Sequence, residues 1–204
     1  MTKRKEAILQ AATKLFAEKG YKDTSMSELA QLTGVATGTI FYHFNNKEEL
    51  FLTILKDFKL IITQELERHI SENSFENGLE MLASSLTFYL NMAGVMEEQF
   101  LILHRHDAYE LARVNKACQE HLEAIYNGLV DIFEKSILLG QKDGSIRDIP
   151  AKKGALIMFS MVDGLARLNT YDLYDAGGLY DELLDACRRM LCKVNVIEEG
   201  IHAD

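Results

Sequence analysis

The sequence predicts an all-α protein, and three observations carry that prediction. Proline occurs once in 204 residues and tryptophan is absent, so little in the chain interrupts a helix. Apolar residues recur three and four apart rather than alternating, the period of a helix with one buried face. The segments so marked are rich in Ala, Leu, Glu and Lys and are joined by short Gly or Asn punctuation, the composition of helices separated by turns.

Ile8, Ala11, Ala12, Leu15 and Phe16 follow helical spacing and make a first helix, ended by Lys19-Gly20. Ser25 and Glu28 form a capping box, so a second helix starts there, with Leu29, Ala30 and Leu32 as its apolar side. Gly34 sits just past its end, where a residue without Cβ takes positive φ at no steric cost. Val35 packs inward. The next segment, Thr37 to Phe44, is too short to be stable alone and must be held by its neighbours; Ile40, Phe41 and Phe44 read as its buried anchors. Asn46 with Glu49 repeats the capping signal, so a fourth helix begins at Lys47. Phe51, Ile54, Leu55, Phe58, Ile61 and Ile62 carry it to about Ile70.

After the break at Ser71 to Ser74, helical patterns run from Phe75 to Met92, Glu97 to about His106, and Asp107 to Leu139. The stretch from Gly140 to Pro150 is polar, turn-rich and closed by the single proline. Two helices follow, near Ala151 to Tyr171 and Tyr180 to Val196. The expectation is thus about nine helices, with a three-helix module over 1–47 and a larger helical domain over 48–204, linked by the helix from Lys47.

Charge divides along the same boundary. Residues 1–47 hold seven Lys/Arg against four Asp/Glu, a balance of +3, and the remainder holds 15 against 27, a balance of −12. An acidic whole with a basic tip argues for one favourable docking face for nucleic acid and against nonspecific coating, with Lys3, Arg4 and Lys5 as a short arm. No apolar run reaches the length of a membrane span and the first ten residues lack a secretory core, so no membrane partner and a cytoplasmic location are expected. Cys118, Cys187 and Cys192 lack metal-ligand spacing and read as reduced thiols in helix packing.

Two helices and a tight turn between Thr24 and Leu50 match a DNA-reading helix-turn-helix. More specifically, Gly34-Val35, Gly38, Phe41-Tyr42, His43, Phe44, Lys47-Glu48 and Leu50, with Leu15-Phe16, Gly20-Tyr21 and Thr24-Ser25, resemble the tetracycline-repressor (TetR) family of bacterial transcriptional regulators over roughly the first 55 residues. The resemblance implies a ligand-responsive regulator, most simply a repressor, that binds double-stranded palindromic operator DNA as a homodimer. It places Thr24 and Ser25 near phosphate at the start of the second helix. It also puts Thr37, Gly38 and Thr39 at the start of the recognition helix, with Tyr42, His43 and Lys47 donating to phosphate. Lys47→Ala is then expected to lower the salt slope by about one unit. Ala36-Thr37 stands where many relatives carry a hydroxyl residue and lysine, which removes a cationic reader of guanine.

The resemblance further implies that the last two helices form a four-helix dimer interface, through Leu156, Phe159, Val162, Leu165, Leu183, Leu184, Cys187, Met190 and Leu191; Met161, Leu168 and Val194 lie on the same stripes. On spacing alone, packing within one subunit explains those stripes equally well. An effector pocket in the body has as candidates Phe88, Met92, Phe100, Leu103, His104, Tyr109, Tyr126, Met158 and Met161, mostly apolar with a few polar handles, which suits a small, largely apolar effector. No catalytic residue, cofactor or metal site is expected. Two rival readings remain: a metal-binding or catalytic body using His104, His106, Cys118 and His121, and a DNA-bound platform that recruits a protein partner.

Overall fold

The computed structural model describes residues 3–192, all of it helix and connecting turn, with no strand among the described residues. Among the described residues there are ten α-helices, where about nine were expected. The head comprises α1 (Lys3–Lys19), α2 (Met26–Thr33) and α3 (Thr37–His43), and α4 (Lys47–Glu72) leads into the body. Residues 3–5 already lie in α1, so the basic cluster is a helical turn and not a free arm.

The body consists of α5 (Gly78–Val95), α6 (Glu97–His104), α7 (His106–Ala112), α8 (Lys116–Asp143), α9 (Ala151–Thr170), a 3-10 turn (Ala176–Leu179) and α10 (Tyr180–Leu191). The end expected near Val196 lies outside the described residues, as does Val194. The extra helix arises because the stretch from Asp107 to Leu139 is two elements. Asn115 accepts from the Cys118 N–H at 3.0 Å and opens α8 as a fresh N-cap. The long α8 packs against α4, α5 and α9, and Phe58, Tyr89, Phe100, Phe133 and Met158 lie fully buried around it.

Aromatic packing fixes the head on α4. Phe51 sits 5.4 Å from Phe16 and 5.1 Å from Tyr21 between ring centroids, so the first turn of α4 is part of the head's own core. Contacts from the body hold the other side of α1. Arg105, at the joint between α6 and α7, donates Nη1–H to the Ala17 carbonyl at 2.8 Å, and Lys22 pairs with Glu110 of α7. Among the described residues no helix is long and apolar enough to cross a membrane.

Candidate nucleic-acid interface

The turn between α2 and α3 forms as its sequence dictates. Ser25 accepts from the Glu28 N–H at 3.1 Å. The Glu28 carboxyl is held below the usual carboxylate range chiefly by Lys19, and also by the Ser25 backbone N–H that it accepts from. This reciprocal pair starts α2. Gly34 ends it at φ 66°, in the left-handed region.

Helix α3 is anchored by Ile40 and Phe44, which are four apart and fully buried. Phe41 is 47% exposed, a correction to its reading as an anchor, and Leu32 in α2 is also exposed. The reason is angular: Ile40 and Phe44 occupy the one face of a two-turn helix that meets the core, and a residue one step on from Ile40 falls about 100° away.

The opposite face carries Gly38 and Tyr42, four apart. Tyr42 is 84% exposed and meets the His43 ring edge-on at 5.1 Å. A Cβ built on Gly38 finds no atom within 4 Å, so nothing inside the protein requires glycine there. Gly38, Thr39, Tyr42 and His43 form one wall of an open cleft of about 840 Å³ whose other wall is Lys3 and Arg4. Thr37 is exposed beside them. Lys5 lies over the Phe44 ring at 5.0 Å.

Two expected phosphate donors are occupied elsewhere. Thr24 is buried, and its hydroxyl donates to the carbonyls of Gly20 at 2.8 Å and Leu15 at 3.3 Å, closing the end of α1. The Lys47 ammonium donates to the carbonyls of Tyr21, Lys22 and Thr24, at 2.5, 3.1 and 2.8 Å, and sits over the Tyr21 ring at 4.5 Å. Partial burial pushes its pKa down, against the opposing pull of Asp23 and Asp107. Both side chains therefore shape the turn before α2. Both are thus engaged away from the phosphate contact expected of their side chains, and a donor already satisfied by backbone carbonyls is costly to withdraw.

In the body, the candidate pocket residues separate. His104, Phe100, Tyr109 and Tyr126 gather near two residues that the sequence reading missed, Tyr89 and Asp163. The Tyr89 hydroxyl donates to Asp163 Oδ1 at 2.6 Å and His104 Nε2 lies 3.0 Å from the same oxygen. Burial, and then Asp163, push the Tyr89 pKa well up. Phe88 instead stacks on His69 at 4.4 Å, away from this cluster. Leu103 and Met158 are core, Met92 is half-buried against it, and Met161 lines a groove between α9 and α10.

The expected dimer stripe divides in the same way. Val162, Cys187 and Leu191 are buried within the subunit, and Phe159 packs on Tyr89 and Tyr126, so these four are corrected to internal packing. Leu184 is half-buried. Leu156 and Met190 remain exposed, and Leu165 and Leu183 line the α9–α10 groove with Met161, Leu168 and Leu179. His104, His106, Cys118 and His121 do not converge. His106 pairs with Glu110, Cys118 donates Sγ–H to the Ala108 carbonyl at 3.6 Å, and His121 faces Asn46 and Glu49 across a separate cleft.

A short, glycine-bearing reading helix on a basic-edged cleft, carried by a larger helical body, defines a helix-turn-helix DNA-binding regulator. The profile of bacterial regulatory proteins of the tetR family matches residues 8–54. An uncharacterized HTH-type transcriptional regulator of Bacillus subtilis, YhgD, is 30% identical over 171 residues, spanning 78% of this chain and 80% of that protein. The transcriptional regulator TtgR of Pseudomonas putida is 27% identical over 78% of this chain and 77% of its own length. A regulator from Saccharomonospora viridis, solved in complex with choline, superposes with a TM-score of 0.80 at 20% identity, covering 93% of this chain and 98% of that one. The chain belongs to the TetR family of bacterial transcriptional regulators, and it is a ligand-responsive DNA-binding regulator.

Proposed function

We propose that the protein is a homodimeric repressor that places α3 of each subunit in successive major grooves of a palindromic operator. Thr37, Gly38, Thr39 and Tyr42 face the bases and sugar-phosphate edge, and His43, Ser25, Lys3 and Arg4 meet phosphate. The observation that carries this reading is Gly38, whose missing Cβ faces open space beside an exposed Tyr42. A close partner surface accounts for a glycine that the fold does not need.

The dimer reading rests on the apolar surface that one subunit leaves open. The groove of Met161, Leu165, Leu168, Leu179 and Leu183 measures about 470 Å³, and Leu156, Ile157 and Met190 stand exposed on the same two helices. Exposed apolar surface of that kind along two neighbouring helices of a charged protein is an interface signature.

Release follows if an effector binds better to a conformation in which the heads are set differently. The coupling element is the α6–α7 joint: His104 and Tyr109 sit in the aromatic cluster, while Arg105 and Glu110 between and beside them hold Ala17 and Lys22 of the head. Sedimentation of the purified protein, with selection from randomised duplexes, tests the reading. A dimer that enriches one palindrome supports it; a monomer, or no enrichment over random DNA, contradicts it.

A further inference from the structure

The Asp163 cluster draws on five helices. Tyr89 comes from α5, His104 from α6, Tyr109 from α7, Tyr126 from α8, and Phe159 and Asp163 from α9. The Tyr109 and Tyr126 hydroxyls meet at 2.5 Å. The Phe159 ring lies 5.5 Å from Tyr126 and 6.1 Å from Tyr89. Aromatic side chains from four helices thus cluster near a single carboxylate, to which Tyr89 presents its hydroxyl.

That carboxylate is neither sealed nor neutralised by a strong cation. Its side chain keeps 20% of its exposure, and the basic side chain that contacts it among the described residues is His104. Arg167, one turn further along α9, is exposed. Both donors to Asp163 converge on Oδ1, and Oδ2 has no such partner among the described residues. The His104 side chain is 1% exposed, and with Nε2 on Asp163 its Nδ1 is buried without a partner. A buried polar atom left unsatisfied is destabilising unless something else reaches it.

These features select a ligand class. A carboxylate or phosphate ligand would face the unneutralised charge of Asp163, with Arg167, exposed and acting on Tyr126, as the cation to offset it, and like charges at close range repel strongly away from water. A wholly apolar ligand would leave both Oδ2 and Nδ1 unmet. A positive nitrogen carrying apolar substituents satisfies the carboxylate and the ring faces together, as in aromatic cages for ammonium groups. The acidic body, at −12 over residues 48–204, favours the approach of the same sign of ligand.

Resting on the effector-released reading above, we propose that the effector is an organic ammonium ion seated on Asp163, entering where the Tyr109–Tyr126 hydroxyl pair parts and lying against the rings of Tyr109, Tyr126 and Phe159. Substituents with an N–H or O–H donor reach His104 Nδ1. Displacement of Tyr109 moves α7, the helix that holds Lys22 of the head through Glu110.

Calorimetric titration of the full-length protein with choline, tetraethylammonium and benzyltrimethylammonium tests this. Each is paired with an uncharged molecule of the same shape, 3,3-dimethylbutan-1-ol for choline. At least one cation is expected to bind wild type, its neutral counterpart is expected to bind at least about tenfold more weakly, and Asp163→Asn is expected to lose at least about tenfold in cation affinity. Tyr109→Ala, at a residue 38% exposed, leaves the hydrogen bonds of Asp163 in place and is expected to weaken the cation about fivefold; it serves if Asp163→Asn does not fold. Binding by none of the cations, equal binding by the neutral partner, or equal affinity in Asp163→Asn and Tyr109→Ala overturns the proposal. Operator affinity measured in parallel separates the two readings. An Asp163-dependent cation that leaves operator affinity unchanged keeps the ammonium site and removes release. Release by some other ligand, with no cation bound, keeps the regulator and removes the ammonium site.

Discussion

Arg105 donates its Nη1–H to the carbonyl of Ala17 over 2.8 Å, so the joint between two body helices is tied to the last turn of the head's first helix. Helix ends leave carbonyls without intrahelical partners, and here the body supplies the donor. Asp107, two residues on, accepts from the Lys22 N–H at 3.5 Å. Gly20, at φ 90°, leaves no room for a Cβ beside Asp107 and Arg105. Head and body therefore meet along a line of polar contacts that runs beside the apolar core they share, where α1 packs on α6.

Arg105→Ala is expected to lower stability by about 1 to 2 kcal/mol, the range for a lost hydrogen bond from a charged donor. It is also expected to speed amide exchange at the end of α1 while leaving α9 and α10 protected. Denaturant unfolding and hydrogen exchange check this. Unchanged exchange in α1 would show that the joint does not restrain the head.

Lys47→Ala has a different expected outcome from the one its sequence position suggests. With the ammonium on three carbonyls, the substitution is expected to cost about 2 kcal/mol of stability and to leave the salt dependence of operator binding as it was. A log-log salt slope smaller by about one unit would instead restore Lys47 to the phosphate contacts.

The contrast between Lys47 and Gly34 shows what the sequence holds. Caps and turns are local, so Ser25, Gly34 and Asn46 were legible, and each does in the fold what its residue type allows. A lysine's role depends on what stands within reach of its long side chain, and Tyr21, 26 residues away, is placed there only by the tertiary fold. The break between α7 and α8, at Arg113 to Asn115, carries no Gly or Pro and is marked by the Asn115 cap, so periodicity ran through it; the α6–α7 break near His106 was expected, and Arg105 makes it a joint by reaching to α1. Asp163 was missed because a single carboxylate within an apolar stripe reads as the solvated edge of a helix. Its position four residues after Phe159, on one face, was the available signal. The dimer stripe was legible as apolar but not as to destination, which is why Val162 and Cys187 proved internal.

Acid is expected to weaken the α4–α5 contact through His69. Its ring stacks on Phe88, its Nε2 meets Ser84 Oγ at 2.9 Å, and burial, then Arg68, hold its pKa below the ordinary 6.5. The unfolded chain therefore binds the proton first as pH falls, so stability declines from about pH 7.5 through 6.5 and levels off below the folded pKa. His121 acts in the same direction through burial, Lys59 and Lys56. His69→Gln is expected to flatten part of this decline, by a few degrees of Tm at most, with His121 supplying the rest. Melting curves at about pH 7.5, 6.5 and 5.5 that run parallel for the two proteins would contradict the assignment.

If α3 is the DNA-reading surface, Gly38→Ala tests that role most directly. Because a Cβ at Gly38 meets nothing within 4 Å, alanine is expected to stabilise the free protein by about 0.5 to 1 kcal/mol. The measurement is salt-titrated binding to the selected operator by wild type and Gly38→Ala, with melting temperatures recorded alongside. The expected result is a variant that melts no lower than wild type and binds the operator at least about tenfold more weakly, as where a backbone approaches the duplex closely. Undiminished operator affinity in a stable variant would contradict it and move the DNA contacts away from α3.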